Sequence, residues 1–269
     1  MIKHYLKVAF RNLIKYKTQS LVSIIGLAVG FTCFALSVLW IRYEMTYDNF
    51  HEGADRIYLV RAHYANEPGT SKFTPYPLMK YLQDKMPEIE TVTAFTAHHV
   101  KFRMEDTEQE IGMIAADSVF MNFFDIQLLK GTVNFPKCDG QEVAITKEFA
   151  KRLFSKEEDA LGKEVEVGRR VCKIGAIVSG WSNHSNIPYN ILAPARHSPQ
   201  WGSSNEQLLI RVRERTDIDA FRTKMSTVCI NDIEKESELS DLLITRMSAL
   251  RYSDYVDKAD VVISFSYIF

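Results

Sequence analysis

The chain carries an uninterrupted run of 22 uncharged residues, Ser20 to Ile41, close to its N-terminus. At about 1.5 Å rise per residue, a helix of this length crosses a hydrocarbon core of roughly 30 Å. Twelve of its residues are Leu, Ile, Val or Phe, and each favours insertion near the helix centre. A buried helix of a soluble protein normally keeps a polar stripe, and this run has none. The pattern predicts a transmembrane helix over residues 19–42.

A cleavable signal peptide is the alternative explanation for the apolar run. Ala35-Leu36-Ser37 resembles the small-x-small pattern of a cleavage site. The run nevertheless continues through Val38 to Ile41 and is longer than a usual signal core. We therefore expect an uncleaved anchor.

Charges flank the run unequally. Residues 1–17 contain five Lys or Arg and no acidic residue, whereas Glu44, Asp48, Glu52 and Asp55 follow the run. Because cytoplasmic flanks carry the excess of Lys and Arg, the N-terminus is predicted to lie in the cytoplasm. The rest of the chain after the helix then lies on the opposite side of the membrane.

The basic flank has a regular spacing of its own. Lys3, Lys7, Arg11 and Lys15 recur every four residues, which places them on one face of a helix. Apolar residues mark another face, so residues 1–18 are predicted to form a basic amphipathic helix on the cytoplasmic leaflet, in contact with anionic lipid. The alternative is ordinary positive-inside flanking without a defined helix.

Small residues form a stripe inside the apolar run. Gly26 and Gly30 make a GxxxG step, and Ser23 lies one turn earlier. Small residues allow the backbone of a second helix to approach closely. The stripe is a weak signal by itself, and it predicts that this helix packs against other membrane helices.

Composition limits the remaining possibilities. The net charge is −1, from 33 Lys and Arg against 34 Asp and Glu, so the bulk of the chain has no nucleic-acid signature. Of the four cysteines, Cys138, Cys172 and Cys229 follow the membrane run, with spacings that match no metal site. Buried free thiols are expected, and a disulfide between Cys138 and Cys172 is the alternative.

Hydrophobic periodicity after the membrane run predicts an α+β fold. A β-α-β order occurs over residues 56–100 and again over 205–245, with a strand-rich segment between them. We expect a two-lobed domain in which a βαβ frame carries an inserted β-rich lobe. Predicted strands cover 56–62, 91–104, 110–116, 142–146, 165–167, 171–178, 207–212 and 242–245, and predicted helices cover 75–86, 118–124, 147–154 and 218–230.

Two finer expectations concern the connections. Ser118 is predicted to cap the helix that ends at Phe124, through its hydroxyl. Residues 181–204, rich in Asn, Ser, His and Pro, are predicted to form a polar loop.

No motif for catalysis, cofactor binding or metal binding is found. The chain lacks the Gly-rich phosphate loops and the Gly-x-Ser-x-Gly turn. His98 and His99 point to opposite faces of a strand, and His184 and His197 are expected in a solvated loop. Asp48 and His51 could suggest a catalytic pair, but a turn next to the membrane is the preferred interpretation.

Short motifs resemble the permease subunits of MacB/FtsX-type ABC transporters, and together they extend over nearly the whole chain. The three segments near the N-terminus are specific in combination. The matching segments are Leu6 to Leu13, Ile25 to Gly30, Tyr47 to His51 with Asp55 to Tyr58, Pro87 to Glu90, Ala116 to Phe120 and Leu128 to Gly131.

The resemblance implies a bacterial inner-membrane protein whose first membrane helix leads into a MacB-like periplasmic core domain at residues 43–260, with a porter-like βαβ part. It implies an ABC ATPase subunit as cytoplasmic partner, a homo- or heterodimer with another permease half, and a mechanotransmission role. Three further membrane helices are expected in this family, and residues 261–269 would begin the second. The alternative function is a single-span, membrane-anchored periplasmic binding or scaffold protein that needs no ATPase.

Overall fold

A computed structural model describes the chain and divides it into two compact units, Met1–Thr46 and Tyr47–Phe269. The residues described are 2–65, 68–104, 107–132, 142–154, 156–232 and 239–250.

The first unit consists of two helices, α1 (Ile2–Lys15) and α2 (Lys17–Glu44). The 28 residues of α2 are long and apolar enough to cross a membrane, and α2 is the one such helix in the described part of the chain. Two of its hydroxyl groups bond within the helix: the Thr32 hydroxyl donates to the Ala28 carbonyl at 2.8 Å and the Ser37 hydroxyl donates to the Cys33 carbonyl at 2.8 Å. Such internal hydrogen bonds remove the cost of placing hydroxyl groups in lipid.

The second unit is built on one sheet that contains all ten strands of the described residues. The strands are β1 (Ile57–Tyr64), β2 (Ile89–Met104), β3 (Thr107–Ala116), β4 (Leu128–Gly131), β5 (Glu142–Thr146), β6 (Glu164–Val167), β7 (Arg170–Val178), β8 (Ile191–Pro194), β9 (Gln207–Val212) and β10 (Leu239–Arg246). The helices are α3 (Pro77–Lys85), α4 (Ser118–Phe123), α5 (Lys147–Leu153) and α6 (Ile218–Asp232), with short 3-10 turns at Ala54–Arg56, Glu157–Ala160 and Met247–Ala249.

Two β-α-β units interleave to form the frame. The strand order is β10-β1-β9-β2, and each neighbouring pair is antiparallel. Strand β9 of the second β-α-β segment therefore lies between β1 and β2 of the first, which is the split βαβ arrangement of ferredoxin-like folds. Helices α3 and α6 cover one face, where Leu78, Leu82 and Phe221 are buried against the strands.

The inserted lobe is a closed barrel. Strand β2 continues past the frame and pairs with β3, and the order then runs through β8, β5 and β7. Strand β6 pairs with both β7 and β2, so six of the described strands close into a ring. Such closure reduces the number of free strand edges, and β4, which pairs with β7 alone, lies outside the ring.

One end of the barrel is sealed by aromatic packing. Phe102 of β2 and Phe149 of α5 are fully buried, with ring centroids 5.1 Å apart in an edge-on arrangement. Ile145, Ile174 and Ile191 fill the space beside them. The barrel therefore has its own hydrophobic core, distinct from the one under α3 and α6.

The predicted α+β fold is confirmed, with its anchor helix, βαβ frame and inserted β-rich lobe. Two local predictions are wrong. Asp117, not Ser118, caps α4, because the Asp117 carboxylate accepts hydrogen bonds from the backbone N–H groups of Val119 (2.9 Å) and Phe120 (3.3 Å).

The predicted loop at 181–204 contains a strand, β8, which the sequence prediction missed. Its four residues pair in parallel with β3 and antiparallel with β5. A run this short becomes a strand because tertiary pairing fixes both of its edges.

Cys172 is a buried free thiol, whereas Cys138 and residues 261–269 lie outside the described residues. The backbone of Cys229 belongs to α6. The boundaries predicted for the periplasmic domain stay predictions.

Candidate functional site

The segment that leads into β1 is held within the second unit by a buried carboxylate. Asp48 is fully buried, and its backbone lies in the left-handed region with φ of 58°. Its carboxylate Oδ2 accepts two hydrogen bonds from Asn186, from the backbone N–H at 3.0 Å and from Nδ2 at 2.6 Å. The Asp48 N–H donates to the His184 carbonyl at 3.2 Å. Asp48 and Asn186 are 138 positions apart in the chain.

Asn186 also reaches the segment that follows the last strand of the frame. Its Nδ2 donates to the Met247 carbonyl at 3.2 Å. We call Asp48, Asn186 and the Met247 carbonyl the Asp48 clamp. The clamp joins the segment that enters the domain, the loop before β8 and the turn after β10. Hydrogen bonds to a charged group contribute about 1.5–3 kcal/mol each, so the clamp is a strong local contact.

The loop that carries Asn186 is itself anchored on the barrel. Gly112 of β3 faces it, and a Cβ at this position would lie 2.6 Å from the Pro188 carbonyl. The Asn190 N–H donates to the Gly112 carbonyl at 2.8 Å. The Trp181 Nε1 donates to the Ile187 carbonyl at 3.2 Å. Glycine at 112 therefore permits the close approach that holds Asn186 in place.

His51 lies in an aromatic box beside the clamp. Its ring centroid is 4.2 Å from that of Phe50, 4.7 Å from that of Phe124 and 4.9 Å from that of Trp181. Burial, together with the positive charge of Arg211, lowers the pKa of His51 to about 4. His51 is therefore neutral at pH 7.

The Asp48 carboxyl has the opposite shift. Burial raises its pKa above the usual value for aspartate, and the hydrogen bonds from the neighbouring residues partly offset that effect. The closest approach of His51 Nε2 to Asp48 Oδ1 is 3.9 Å, which is longer than a hydrogen bond. The arrangement consequently favours the structural interpretation of Asp48 and His51 over a catalytic pair.

The other histidines are held by separate contacts. His184 packs on Tyr47 with ring centroids 3.9 Å apart, and His197 stacks on Tyr76 at 4.1 Å. His197 Nδ1 lies 3.2 Å from the Glu206 carboxylate. Within the described ranges, no group of three or more His, Cys, Asp or Glu residues is placed to hold a metal ion.

The residues predicted for membrane contact lie on the two helices of the first unit. Lys3, Lys7, Arg11 and Lys15 belong to α1, and the last three of them have exposed side chains. Ser23, Gly26 and Gly30 belong to α2 and are exposed. A Cβ built on Gly26 or Gly30 has no heavy atom of the described structure within 4 Å, so the small-residue stripe is open to a neighbour.

Sequence reasoning missed Asn186, the central residue of the clamp. It lies in a polar segment with many similar Asn and Ser residues, and nothing local distinguishes it. The motif Tyr47 to His51 carries part of the family resemblance, but nothing in its residues indicates that Asp48 is buried.

Three solved structures share this fold. A domain assigned to a permease protein from Porphyromonas gingivalis matches with TM-score 0.57 and 19% identity, covering 73% of this chain and 92% of that one. The extracellular domain of YknZ, a noncanonic ABC-type transporter from Gram-positive bacteria, matches with TM-score 0.52 and 14% identity, covering 70% of this chain and 99% of that one. The periplasmic region of MacB from Actinobacillus actinomycetemcomitans matches with TM-score 0.53 and 13% identity, covering 76% of this chain and 95% of that one.

Sequence comparison gives the family. No curated protein matches the chain significantly. The family model described as the MacB-like periplasmic core domain matches residues 20–228. Since this match covers more than half of the chain, which also shares the fold of periplasmic and extracellular transporter domains, the protein belongs to the MacB-like periplasmic core domain family.

Proposed function

We propose that this chain acts as a permease subunit of an ABC transporter of the MacB/FtsX type. In this role, a partner ATPase on the cytoplasmic side hydrolyses ATP, and the chain carries the resulting movement of α2 to the domain outside the membrane. Family membership and an N-terminal helix apolar enough to span a bilayer support the proposal.

The observation that carries the proposal is the Asp48 clamp. Asp48 follows the last residue of α2, Glu44, by only four positions, and the intervening sequence is not rich in Gly or Ser. A short, non-flexible connection followed by a buried charged hydrogen bond transmits displacement rather than absorbing it. The same clamp holds the turn after β10, so entry and exit segments would respond together.

A flexible insertion tests this coupling. Eight Gly/Ser residues inserted after Tyr43 should leave ATP hydrolysis by the ATPase complex intact and abolish transport, because the helix could then move without the domain. The matched control carries the same insertion after Gly202, in an exposed loop where nothing lies within 4 Å of a built Cβ. Unchanged transport with the insertion after Tyr43 would refute mechanical coupling.

We further propose that the N-terminus lies in the cytoplasm and that α1 rests on the inner leaflet of the bacterial inner membrane. The basic side chains of Lys7, Arg11 and Lys15 are exposed and suited to anionic headgroups. A protease-protection assay with one tag at the N-terminus and another after Gly69 tests the topology. The N-terminal tag should be protected in spheroplasts and the second tag should be cleaved; the reverse result would contradict the orientation.

The open stripe on α2 is proposed to pack against another permease half. Ser23, Gly26 and Gly30 leave the helix backbone accessible to a close neighbour. Replacing Gly26 and Gly30 by Leu should reduce helix crosslinking in membranes, whereas replacing Leu21 and Ile25, on the opposite face of the helix, by other apolar residues should not. Equal crosslinking in both variants would contradict this packing face.

An ATPase-independent binding or scaffold role is the second candidate. A cavity at the open end of the barrel favours this role, because a ligand could bind there without being transported across the membrane. The two roles differ in their requirement for an ATPase. If the full chain purifies in lipid nanodiscs together with a stoichiometric subunit that hydrolyses ATP, the permease role is supported. If the chain is stable and works without such a subunit, the scaffold role is supported.

A further inference from the structure

We propose that the open end of the β2–β3–β8–β5–β7–β6 barrel binds an anionic amphiphile. A carboxylate or phosphate headgroup would lie among Arg169, Arg170 and Arg196, and a short apolar tail would lie inside the barrel wall. This inference does not rest on coupling to an ATPase.

The two ends of the barrel are filled differently. Phe102, Phe149 and Ile145 pack into the end that α5 covers. The opposite end contains a cavity of about 360 Å³, which is in the range of small-molecule sites. We call this cavity the barrel mouth.

Strand direction places one end of every barrel strand at the mouth. Cavity residues come from the beginnings of β5 and β7, the beginning of the barrel part of β2, and the ends of β3, β6 and β8, as the parallel and antiparallel pairings require. On β2 the lining residues are Thr96 and His98, which share a face with buried Phe102. The cavity is therefore the interior of the barrel seen from its end, not a surface crease.

Small side chains keep the mouth hollow. The side chains that face the barrel interior at the sealed end include Phe and Ile. Those at the mouth include Ala115, Ala193 and Cys172. Val143 and Met113 complete an apolar wall. An acyl or other apolar tail fits such a wall, because it would remove apolar surface from water at both partners.

The rim of the mouth is cationic. Arg169 and Arg170 lie at the tip of the β6–β7 hairpin, where Gly168 adopts the positive φ of 66° that the tight turn requires. Arg196 follows β8 on the facing side, and all three side chains are exposed. Among the described residues that line the cavity there is no Asp or Glu.

Two other arginines of the domain are paired with carboxylates. Arg103 pairs with Glu108 and Glu166, and Arg56 pairs with Glu90. In the part of the chain that the structure describes, neither Arg169 nor Arg170 forms an ion pair. Both residues line the apolar cavity, and each guanidinium presents the fork of donors that suits a carboxylate or a phosphate.

Binding is tested on the full chain in zwitterionic lipid nanodiscs by isothermal titration, with empty nanodiscs as the blank. Octanoate and octyl phosphate carry the two candidate headgroups on the same tail. Octanol tests the tail alone and inorganic phosphate tests the charge alone. We expect saturable binding of at least one octyl anion, about tenfold or more tighter than octanol or inorganic phosphate. Equal binding of octanol, or of inorganic phosphate, or no saturable binding would overturn the proposal.

Variants locate the site. Arg169→Ala combined with Arg170→Ala should weaken binding of the octyl anion about tenfold or more. Arg152→Ala, at the sealed end of the same barrel, is the matched control and should bind as the unmodified chain does. An unchanged affinity in the double variant would overturn the proposal, as would an equal loss in the control.

A charge reversal keeps the test decisive if the alanine variant proves poorly folded. Arg169→Glu with Arg170→Glu should lose the octyl anion and bind octylammonium instead. Ala193→Phe should exclude both ligands by filling the mouth, with an unfolding midpoint close to that of the unmodified chain. Retention of the octyl anion by either of these variants would place the ligand elsewhere and refute the assignment.

Discussion

The frame and the barrel share strand β2, yet they are held together by different means. In the frame, two β-α-β units interleave and two helices cover one face of the sheet. In the barrel, the sheet closes on itself and a single short helix covers one end. The clamp joins the segment before β1 to the turn after β10, as the proposed transmission of displacement requires, whereas the barrel leaves one end open for the proposed ligand.

Among the changes that compare barrel and frame, Phe102→Ala is expected to have the largest effect on the stability of the domain. Removing a fully buried ring from the sealed end should destabilise the domain by about 3–5 kcal/mol. Because β2 runs through both regions, we expect one cooperative unfolding transition in urea. Hydrogen exchange that accelerates only in β3, β5, β7 and β8 would show instead that barrel and frame unfold separately. Leu82→Ala, which truncates a buried side chain of α3, is the matched change in the frame.

The pH dependence of stability tests the aromatic box around His51, beside the Asp48 clamp. The pKa of His51 is lowered to about 4 from 6.5, so its contribution is present above pH 6.5 and is lost as the pH falls toward 4. The maximum loss is roughly 3 kcal/mol, from 1.36 kcal/mol for each pKa unit. Urea unfolding monitored by tryptophan fluorescence measures it.

His51→Phe is the matched variant, since it keeps a ring in the box and removes the titration. Asp48 titrates in the opposite sense: its raised pKa contributes stability at low pH that is lost as the pH rises through the folded-state value. Both chains retain Asp48, so the difference between their pH profiles isolates His51. Parallel profiles from pH 7 to 4 would contradict a buried, neutral His51.

The clamp has a smaller expected effect on stability. Asn186→Ala removes both side-chain hydrogen bonds, to Asp48 and to the Met247 carbonyl, and should cost about 2 kcal/mol. Asn205→Ala, in an exposed loop, is the control and should be nearly neutral. In Asn186→Ala, hydrogen exchange should accelerate both near Ala54–Arg56 and near Met247–Ala249, because the clamp joins these two segments. Acceleration in only one of them would contradict that role of the clamp.

The smallest effect is expected from the ion pairs on the outside of the barrel. Arg103 joins β2 to Glu108 of β3 and to Glu166 of β6, but all three side chains are solvent-exposed. Solvent and salt screen such pairs. Arg103→Ala should leave the unfolding midpoint unchanged within error, and a clear decrease would indicate that barrel closure depends on charge rather than on its core.

Local patterns predicted most elements of both regions. Short continuous apolar runs marked strands such as β1 and β9, and helical spacing with Pro87 beyond its end marked α3. The cap of α4 was misassigned by one residue because Asp117 and Ser118 are both good N-cap residues, and the choice depends on backbone geometry. Strand β8 was missed because four residues carry too little periodicity to identify a strand.

By itself, the sequence determined the membrane helix, its basic flank and the α+β order of elements, since these depend on residues that are neighbours along the chain. The tertiary structure decided the barrel closure, its open mouth and the Asp48 clamp. These depend on residues far apart in the chain, such as Phe102 and Val167, which pair across β2 and β6, or Asp48 and Asn186, which are 138 positions apart. Local propensity carries no information about such contacts, because their free energy arises only when folding buries both partners together.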